Sequence, residues 1–317
     1  MTILANDGIS ALGVSTLESK GFNVLTTTVA QEQLPNYIND KKISALLVRS
    51  ATKVTKEVID QCPNLKLIGR GGIGLDNIDV SYAEKKGIKV INTPEASSSS
   101  VAELAFAHLL SGVRFLYDAN RNMPLDGDRQ FKKLKKDYAS GMELRNKTLG
   151  IFGFGRIGQE TAKIALGFGM KVIYFDPSVP EKSITFSFFD EQSVKFNFES
   201  RSKEEVLRNS DFISIHVPAQ KEYTINKDDF KVMKNGVGIV NTARGGAIDE
   251  VALVTELDNG KVSFAGLDVF ESEPTPEIRI LMHPNISLSP HIGASTIEAQ
   301  NRIGMELATQ IIDIFKA

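Results

Sequence analysis

Short apolar runs alternate with segments of helical spacing along the first 94 residues. The runs predict strands at residues 3–5, 23–25, 45–48, 65–69 and 89–91. The segments between them predict helices at residues 9–19, 30–40, 55–61 and 79–86. Because strands and helices alternate, this part of the chain is expected to form a parallel sheet with helices on its faces.

A second alternating series follows after a long intervening segment. It predicts strands at residues 148–152, 171–175, 211–216, 237–241, 262–268 and 285–288, and helices at 159–168 and 250–259. These elements are typical of a doubly wound parallel sheet. A last helical pattern, residues 295–315, has Ile303, Leu307, Ile311 and Ile314 on one face and is expected to return to the first sheet.

The two series predict an α/β protein with two Rossmann-like lobes, the first flavodoxin-like and the second doubly wound. Residues 1–98 and 296–317 are expected to form the first domain, and residues 99–295 a second domain inserted into it. We expect ligands beyond the carboxyl ends of the strands, where parallel sheets of this kind bind them.

Three segments between the series are less regular. Residues 101–116 are apolar nearly all round, which predicts a helix buried on several sides, and Ser100 and Glu103 have the spacing of a capping box at its start. Residues 120–141 are polar and rich in lysine, as in a solvated irregular arm, although contact with an anion is also conceivable. Residues 178–202 fit no strand–helix pattern, and their alternating Val194, Phe196 and Phe198 predict a short edge strand.

A glycine array at residues 153–158 follows a predicted strand and opens a predicted helix. Gly153 permits a tight turn, Gly155 lets the backbone approach a pyrophosphate, and Gly158 lets the helix pack closely on the strand. Asp176 ends the next strand, 176 − 153 = 23 residues later, where an acid binds the adenine ribose hydroxyls and repels a 2′-phosphate. The array alone could be a structural turn, but with strand, helix and acid in place it predicts a site for NAD rather than NADP.

Composition narrows the functional class. The 317 residues carry a net charge of −2, with a pI near 6.2, which argues against nucleic acid or an anionic membrane as the main partner. One cysteine, Cys62, excludes a disulfide framework and a cysteine-rich metal site. No apolar run reaches membrane-spanning length and the start does not read as a signal peptide, so we expect a cytoplasmic protein and no metal.

Hydride transfer at a carbonyl needs a proton donor and a cation that orients the substrate. Three residues after the late predicted strands suit these roles: Arg244, Glu273 and His291. A histidine carries protons near neutral pH, and a carboxylate beside it favours the imidazolium. Each could instead be a surface or turn residue. His216 and His283 are weaker candidates for the acid, and His108, within the apolar helix, is expected to be a buried structural histidine.

Polar and glycine-rich turns also follow two strands of the first domain. Arg49 and Ser50 follow one strand, and Gly71, Gly72 and Ile73 follow the next. Consecutive small residues expose backbone N–H groups that can hold a carboxylate. The alternative is that Arg49 is a surface charge and the glycines form a plain turn.

Six separated motifs give the sequence a resemblance to the D-isomer-specific 2-hydroxyacid dehydrogenase family over nearly its whole length. They are VRS at 48–50, GRGGIGLDNID at 69–79, GFGRIG at 153–158, NTARGG at 241–246, GLDVFESEP at 266–274 and SPHIGAST at 289–296. VRSATKVT and GLDNID are most similar to the 3-phosphoglycerate dehydrogenase branch.

The resemblance implies roles for these residues. His291, paired with Glu273, would exchange a proton with the substrate 2-hydroxyl, and Arg244 would bind the carboxylate and the carbonyl oxygen. The other substrate contacts implied are Arg49 and Ser50 for a phosphate, and Gly71, Gly72 and Ile73 for a carboxylate. The cofactor contacts implied are Ile73, Gly153, Gly155, Arg156, Ile157, Gly158, Asp176, Val217, Pro218, Thr242, Ala243, Arg244, Asp268, His291 and Ala294. It also implies a homodimer formed through the NAD-binding domain, with the helix at 101–116 and the arm at 119–141 suited to the interface.

The function implied is NAD-dependent oxidation of 3-phosphoglycerate to 3-phosphooxypyruvate, the first step of serine biosynthesis. The alternatives are a glyoxylate or hydroxypyruvate reductase, a D-lactate-type enzyme and, from another class, an NADH-responsive corepressor-like binding protein. Ser97 stands where many relatives carry asparagine, and the segment after Asp176 looks longer than usual. Because the sequence stops at Ala317, without the regulatory domain of longer relatives, we expect no feedback inhibition by serine; inhibition of the pure protein at low serine concentration would contradict this.

Overall fold

The computed structural model describes residues 1–316, which form two compact units. One comprises Met1–Ser100 with the segment from Ala294 onward, and the other comprises Val101–Gly293. The predicted domain boundaries lie two residues from these limits, at 98 against 100 and at 296 against 294.

The first unit contains a five-stranded parallel sheet in the order β2-β1-β3-β4-β5. This is the flavodoxin-like order, so the predicted fold class is confirmed for this lobe. Its elements are β1 (Thr2–Ala5), α1 (Ala11–Ser19), β2 (Asn23–Leu25), α2 (Leu34–Asp40), β3 (Ile43–Val48), α3 (Lys56–Gln61), β4 (Leu67–Arg70), α4 (Val80–Lys85) and β5 (Lys89–Asn92).

The second unit contains a six-stranded parallel sheet in the order β13-β12-β11-β10-β6-β7, which confirms the doubly wound lobe. The remaining elements of the chain are α5 (Ser98–Val113), α6 (Leu116–Asp137), β6 (Thr148–Phe152), α7 (Arg156–Gly167), β7 (Lys171–Phe175), β8 (Glu181–Ser187), β9 (Ser193–Glu199), α8 (Lys203–Asn209), β10 (Phe212–Ile215), α9 (Asp229–Val232), β11 (Val237–Asn241), α10 (Glu250–Asp258), β12 (Val262–Leu267), α11 (Ile278–Met282), β13 (Ile286–Leu288) and α12 (Ile297–Lys316).

Each sheet is covered on both faces, which explains the continuous apolar runs. Four of the five residues of β6 and all five of β11 are buried, as expected for strands between two layers of helices. In the first unit, the helix α12 contributes Ile303, Leu307 and Ile311 to the core, as its apolar stripe predicted. Within residues 1–316, no helix combines the length and the apolar composition needed to span a bilayer.

The start of α5 differs from the predicted capping box. The helix begins at Ser98, and the Ser100 hydroxyl donates to the Ser97 carbonyl at 2.9 Å instead of capping a later N–H group. The helix also ends earlier than predicted, at Val113, because Phe115 adopts a left-handed conformation with φ of 56°. At the start of α5, the Ser100 hydroxyl thus bonds to a carbonyl three residues earlier, as serine side chains in helices readily do.

The predicted irregular arm is wrong for most of its length, because α6 is a 22-residue helix. Its backbone leaves helical geometry at Gln130, and Leu134 is the buried residue of its apolar side. Tyr138 ties the helix to itself by donating to the Asp118 carboxylate at 2.8 Å. The helix contains Pro124 and Gly127, which disfavour a helix interior, and most of its other residues are polar, so the sequence did not indicate a helix here.

Residues 181–199 form an antiparallel hairpin of β8 and β9 with its own two-stranded sheet. The alternation of Val194, Phe196 and Phe198 predicted a short edge strand, and β9 is one: it pairs with β8 in a two-stranded sheet. Directly after β9, Ser200 forms a parallel bridge with Tyr174 of β7. Ile184, Phe196 and Phe198 pack on the core beside Phe154. The hairpin is therefore held by one apolar face.

Candidate active site

The three predicted catalytic residues lie after neighbouring strands. Arg244 follows β11, Glu273 follows β12, and His291 follows β13. These strands are adjacent in the sheet, and parallel strands end at the same edge. The sequence therefore brings the three loops together although almost fifty residues separate the first from the last.

Glu273 and His291 form a direct pair. The Nδ1 atom of His291 lies 2.8 Å from Oε2 of Glu273, and the side chains are 41% and 35% exposed. The other carboxylate oxygen of Glu273 accepts the N–H of Phe270 at 3.0 Å, which fixes the orientation of the group. A carboxylate on Nδ1 stabilises the imidazolium and leaves Nε2 as the nitrogen that can exchange a proton with a ligand.

Asp268 shapes the turn that presents His291. It is buried at the end of β12, and its carboxylate accepts the hydroxyl of Ser289 at 2.6 Å and the N–H groups of Ile292 and Gly293 at 2.8 and 2.9 Å. Its carbonyl accepts the N–H of His291 at 2.8 Å. These bonds hold the left-handed backbone of His291, whose φ is 54°. The predicted contact of Asp268 with a cofactor stays a prediction.

Asn241 braces the turn that carries Arg244. Its side-chain oxygen accepts the N–H of Ala243 at 3.0 Å, and its amide nitrogen donates to the Arg244 carbonyl at 2.7 Å. The next residue, Gly245, lies so close to the loop after β12 that a Cβ atom there would be 1.9 Å from the Phe270 carbonyl oxygen. Only glycine permits this approach, which packs the Arg244 turn against the loop that carries Glu273.

The other histidines are structural. His108 is buried on α5, and its ring nitrogens lie 2.9 and 2.8 Å from the hydroxyls of Ser287 and Ser289, which confirms the interpretation from the sequence. Burial lowers the pKa of His108, and burial lowers the pKa of His216 to about 3. Buried neutral imidazoles of this kind do not supply a proton near neutral pH. His283 is also buried and accepts the N–H of Asn285 at 3.1 Å.

The glycine array has the geometry that the sequence predicts. Gly153 has a φ of 88°, and a Cβ atom there would be 2.5 Å from the His216 carbonyl oxygen. A Cβ atom on Gly158 would be 2.2 Å from the Gly153 carbonyl oxygen, so the helix packs closely on the turn. By contrast, a Cβ atom on Gly155 would meet nothing within 4 Å. The backbone at Gly155 therefore borders open space at the N-terminus of α7, which no side chain caps.

This space suits an anionic group. The first turn of a helix offers free N–H groups and the positive end of its dipole, and α7 begins at Arg156, followed by Ile157. Thr242, at the end of β11, has a buried hydroxyl with no hydrogen-bond partner among the described residues. The residues present therefore fit a dinucleotide. Two further predicted contacts, Val217 and Pro218, follow β10 at the same edge, and Ala243 follows Thr242.

Asp176 ends β7 with an oriented carboxylate. One oxygen accepts the N–H of Phe154 at 2.7 Å, and the other accepts the N–H and the hydroxyl of Ser178 at 2.9 and 2.6 Å. These three donors fix the orientation of the carboxylate at the end of β7. The predicted selectivity of Asp176 for NAD stays a prediction.

In the first unit, Asp7 and Asn77 fix the backbone around Arg49. The Asp7 carboxylate accepts the N–H of Arg49 at 2.6 Å and that of Thr52 at 3.1 Å. Asn77 donates to the carbonyls of the same two residues at 2.8 and 2.6 Å. Within the part of the chain that the structure describes, no carboxylate lies within ion-pair distance of the Arg49 guanidinium. Ser50 is exposed beside it.

The glycine-rich turn after β4 offers fewer free donors than predicted. The N–H of Gly71 donates to Val48 O at 2.8 Å and that of Gly72 to Arg70 O at 3.0 Å, so these two groups are already engaged. The pairing of β4 with β3 thus continues one residue into the turn. Ile73 keeps an N–H without an internal acceptor among the described residues, and Asn92 holds its carbonyl at 2.6 Å. Ile73 and Ala294 belong to the first unit, and their predicted cofactor contacts stay predictions.

Sequence reasoning missed the residues that brace these loops. Asn241 and Asn77 stand inside two of the motifs and Asp7 follows β1, but none of the three was singled out. The signal that could have identified them is a polar side chain at the end of a predicted strand, close to a candidate catalytic or binding residue.

Comparison with known proteins identifies the family. A sequence profile described as "D-isomer specific 2-hydroxyacid dehydrogenase, NAD binding domain" matches residues 106–293. The chain is 50% identical over 275 residues to a hydroxypyruvate reductase of Thermotoga maritima, covering 85% of this chain and 84% of that protein. It is 39% identical over 315 residues to the D-3-phosphoglycerate dehydrogenase of Bacillus subtilis, covering 99% of this chain but 56% of that protein.

A solved structure agrees with this result. The D-lactate dehydrogenase of Aquifex aeolicus, in complex with NAD and lactic acid, superimposes with a TM-score of 0.75 at 30% sequence identity, covering 100% of this chain and 96% of that one. The chain thus spans most of the reductase and the lactate dehydrogenase, and slightly more than half of the Bacillus enzyme. It belongs to the D-isomer specific 2-hydroxyacid dehydrogenases and carries their NAD-binding domain at residues 106–293.

Proposed function

We propose that the protein catalyses the NAD-dependent interconversion of 3-phosphoglycerate and 3-phosphooxypyruvate, the first step of serine biosynthesis. The observation that carries the chemistry is the pair of His291 and Glu273, 2.8 Å apart and flanked by the Arg244 turn. The observation that favours a phosphorylated substrate is the guanidinium of Arg49 after β3, which has no acidic partner among residues 1–316.

His291 acts as the acid and base of this mechanism. In oxidation its Nε2 takes the proton of the 2-hydroxyl, and in reduction it returns that proton to the forming alkoxide. Glu273 holds Nδ1 and stabilises the imidazolium while the proton resides on the ring. Bound NAD would supply the hydride acceptor for oxidation at the substrate C2, and bound NADH would supply the hydride donor for reduction.

Arg244 orients the substrate. A guanidinium presents several N–H donors in one plane, which matches a carboxylate and an adjacent carbonyl oxygen. As the carbonyl is reduced, this cation stabilises the charge that develops on its oxygen. Asn241 keeps the Arg244 backbone in place, since it bonds both sides of the turn.

A phosphate supplies the partner that Arg49 lacks. Arginine binds phosphate with two parallel hydrogen bonds, and Ser50 offers a further hydroxyl beside it. The bonds of Asp7 and Asn77 hold the Arg49 backbone, so little ordering of the main chain is needed on binding.

Reduction of hydroxypyruvate is the second candidate. The relative of this name is 50% identical to the chain, and hydroxypyruvate is 3-phosphooxypyruvate without its phosphate. Both candidates use the same three catalytic residues, so they differ only in what Arg49 binds.

We also propose that the protein works as a homodimer joined through its NAD-binding domain, in the cytoplasm. Helix α6 exposes the large apolar side chains of Leu116, Leu125 and Phe131, which a second copy would cover. The double variant Leu125→Glu and Phe131→Glu is then expected to sediment as a monomer. A wild-type protein that sediments as a monomer would contradict this proposal.

NADH oxidation with 3-phosphooxypyruvate, hydroxypyruvate and glyoxylate, measured side by side, tests the substrate. A preference of about a hundredfold in kcat/KM for the phosphorylated acid is expected, which corresponds to about 2.7 kcal/mol of transition-state binding. Equal or faster turnover of hydroxypyruvate would move the protein to the reductase candidate and leave the catalytic residues unchanged.

A further inference from the structure

Glu250, the first residue of α10, is a carboxylic acid that the proposed mechanism does not use. It is only 6% exposed, although glutamate is rarely buried without a partner. Among the described residues it forms no ion pair. Its burial therefore needs another explanation.

Glu250 and Glu271 bond to each other's backbone. The Glu250 carboxyl group accepts the N–H of Glu271 at 2.9 Å, and the Glu271 carboxylate accepts the N–H of Glu250 at 3.1 Å. These two bonds close a ring between the start of α10 and the loop after β12. The ring fixes the backbone of that loop at Glu271.

The same loop orients the catalytic pair. The N–H of Phe270 donates to Oε1 of Glu273, and Oε2 of Glu273 meets His291. On its other side, the Phe270–Glu271 peptide is packed against Gly245, next to Arg244. The Phe270–Glu271 peptide is thus clamped between Gly245 and Glu250, and the N–H group that orients Glu273 lies in the adjoining peptide, on the same residue Phe270.

The surroundings of Glu250 are acidic. Burial, followed by the nearby carboxylates of Glu271, Glu277 and Glu273, raises the pKa of Glu250 to about 7, although the backbone contact opposes this. Tyr223 also faces this cluster, and Glu271 raises the pKa of that phenol. These surroundings disfavour a negative charge on Glu250. The hydrogen bond from the Glu271 N–H, in contrast, can be accepted by the protonated or the ionised carboxyl group.

We propose that Glu250 is a positioning residue for catalysis, which holds the Phe270–Glu271 peptide and through it the orientation of Glu273 toward His291. The inference rests on the proposed function, since it assigns Glu250 a role through that catalytic pair. The competing explanation is that Glu250 merely stabilises α10, because an acid in the first turn interacts favourably with the helix dipole.

Four side chains at position 250 separate length from charge. Glutamine has the length of the native residue without its charge, so Glu250→Gln keeps an oxygen in reach of the Glu271 N–H. Glu250→Asp and Glu250→Asn are one methylene shorter and draw the acceptor away, with and without charge. Val251→Ala, at an exposed position on the same helix, is the matched control.

We expect activity to follow length. Reductive kcat should fall about tenfold in both short variants, remain within about threefold of wild type in Glu250→Gln, and not change in Val251→Ala. KM and the dissociation constant of NADH should change by less than about twofold, since neither depends on the proton transfer.

Three results would overturn the proposal: wild-type kcat in both short variants, a kcat that follows charge rather than length, or a loss of kcat that only tracks a lower unfolding temperature. If one short variant does not fold, the other provides the same comparison with Glu250→Gln. Turnover by a His291→Ala variant would instead refute the proposed function itself, so the two failures can be distinguished.

Discussion

The loops of the NAD-binding unit hold their charged side chains against one another, whereas the loop after β3 leaves a guanidinium unpaired. Glu273 meets His291 directly, and Asp268 and Asn241 fix the turns around them. Arg49 has an equally well-fixed backbone, held by Asp7 and Asn77, but its side chain has no acidic partner among the described residues.

This difference suggests that the loops of the NAD-binding unit carry out the reaction, whereas Arg49 determines which substrate is preferred. A proton-transfer pair works only when its geometry is set before the substrate arrives, so its members bind each other. A residue that recognises one group of a substrate contributes most to binding when it has no competing partner in the free protein, because no existing interaction must then be broken. The same reasoning explains why solved structures named for different substrates, a glyoxylate reductase and a D-lactate dehydrogenase, share this fold with the chain.

The largest effect on the comparison is expected from Arg49→Ala. Losing the guanidinium should lower kcat/KM for 3-phosphooxypyruvate about a hundredfold and change that for hydroxypyruvate by less than about threefold. Lys53→Ala removes an exposed charge nearby and serves as the control. Equal losses for both substrates, measured by NADH oxidation, would show that Arg49 serves the reaction in general and not the phosphate.

A smaller effect is expected at the cofactor site from Asp176→Asn. Asparagine can still accept the N–H of Phe154, so the turn is preserved while the negative charge is removed. The preference for NADH over NADPH in kcat/KM should fall about tenfold, because the repulsion of a 2′-phosphate is lost. An unchanged preference would remove Asp176 from that role.

The smallest effect concerns stability and its pH dependence. The pKa of Glu250 is raised from 4.5 to about 7 in the folded protein, so its carboxyl group contributes stability that is full below pH 4.5 and lost as the pH rises through 7. Glu250→Gln removes this loss and should stabilise the protein at pH 8.5 by about 1–3 kcal/mol, with little change at pH 5. Urea unfolding at both pH values measures the difference; the same effect at both would contradict the assignment.

Much of this architecture was predictable because both sheets are buried on two faces. The strands of β3, β6 and β11 are visible as apolar runs, and their alternation with helices defines the parallel topology. The motifs after the strands then placed Arg244, Glu273 and His291 at one edge. Periodicity placed these residues after late strands, and the structure showed that the three strands are neighbours.

The remaining features depend on polar contacts that no periodicity records. Helix α6 contains Pro124 and many polar residues, so the sequence did not indicate a helix, and the apolar face of the β8–β9 hairpin is too short to show which strand β9 pairs with. The sequence also could not show that the N–H groups of Gly71 and Gly72 are already used within the turn. The hydrogen bonds between Glu250 and Glu271 connect the start of α10 with the loop after β12. These two segments meet only in the folded chain.

The most direct test of the central claim is reductive turnover by His291→Ala, with NADH binding measured in the same preparation by fluorescence. Ile292→Ala changes the exposed neighbour and serves as the control. The account predicts a fall in kcat of about a thousandfold with an NADH dissociation constant within about twofold of wild type, because His291 transfers the proton while most of the proposed dinucleotide contacts lie at the glycine array and at Asp176. Turnover within about tenfold of wild type, or a loss that comes only from weaker NADH binding, would contradict it.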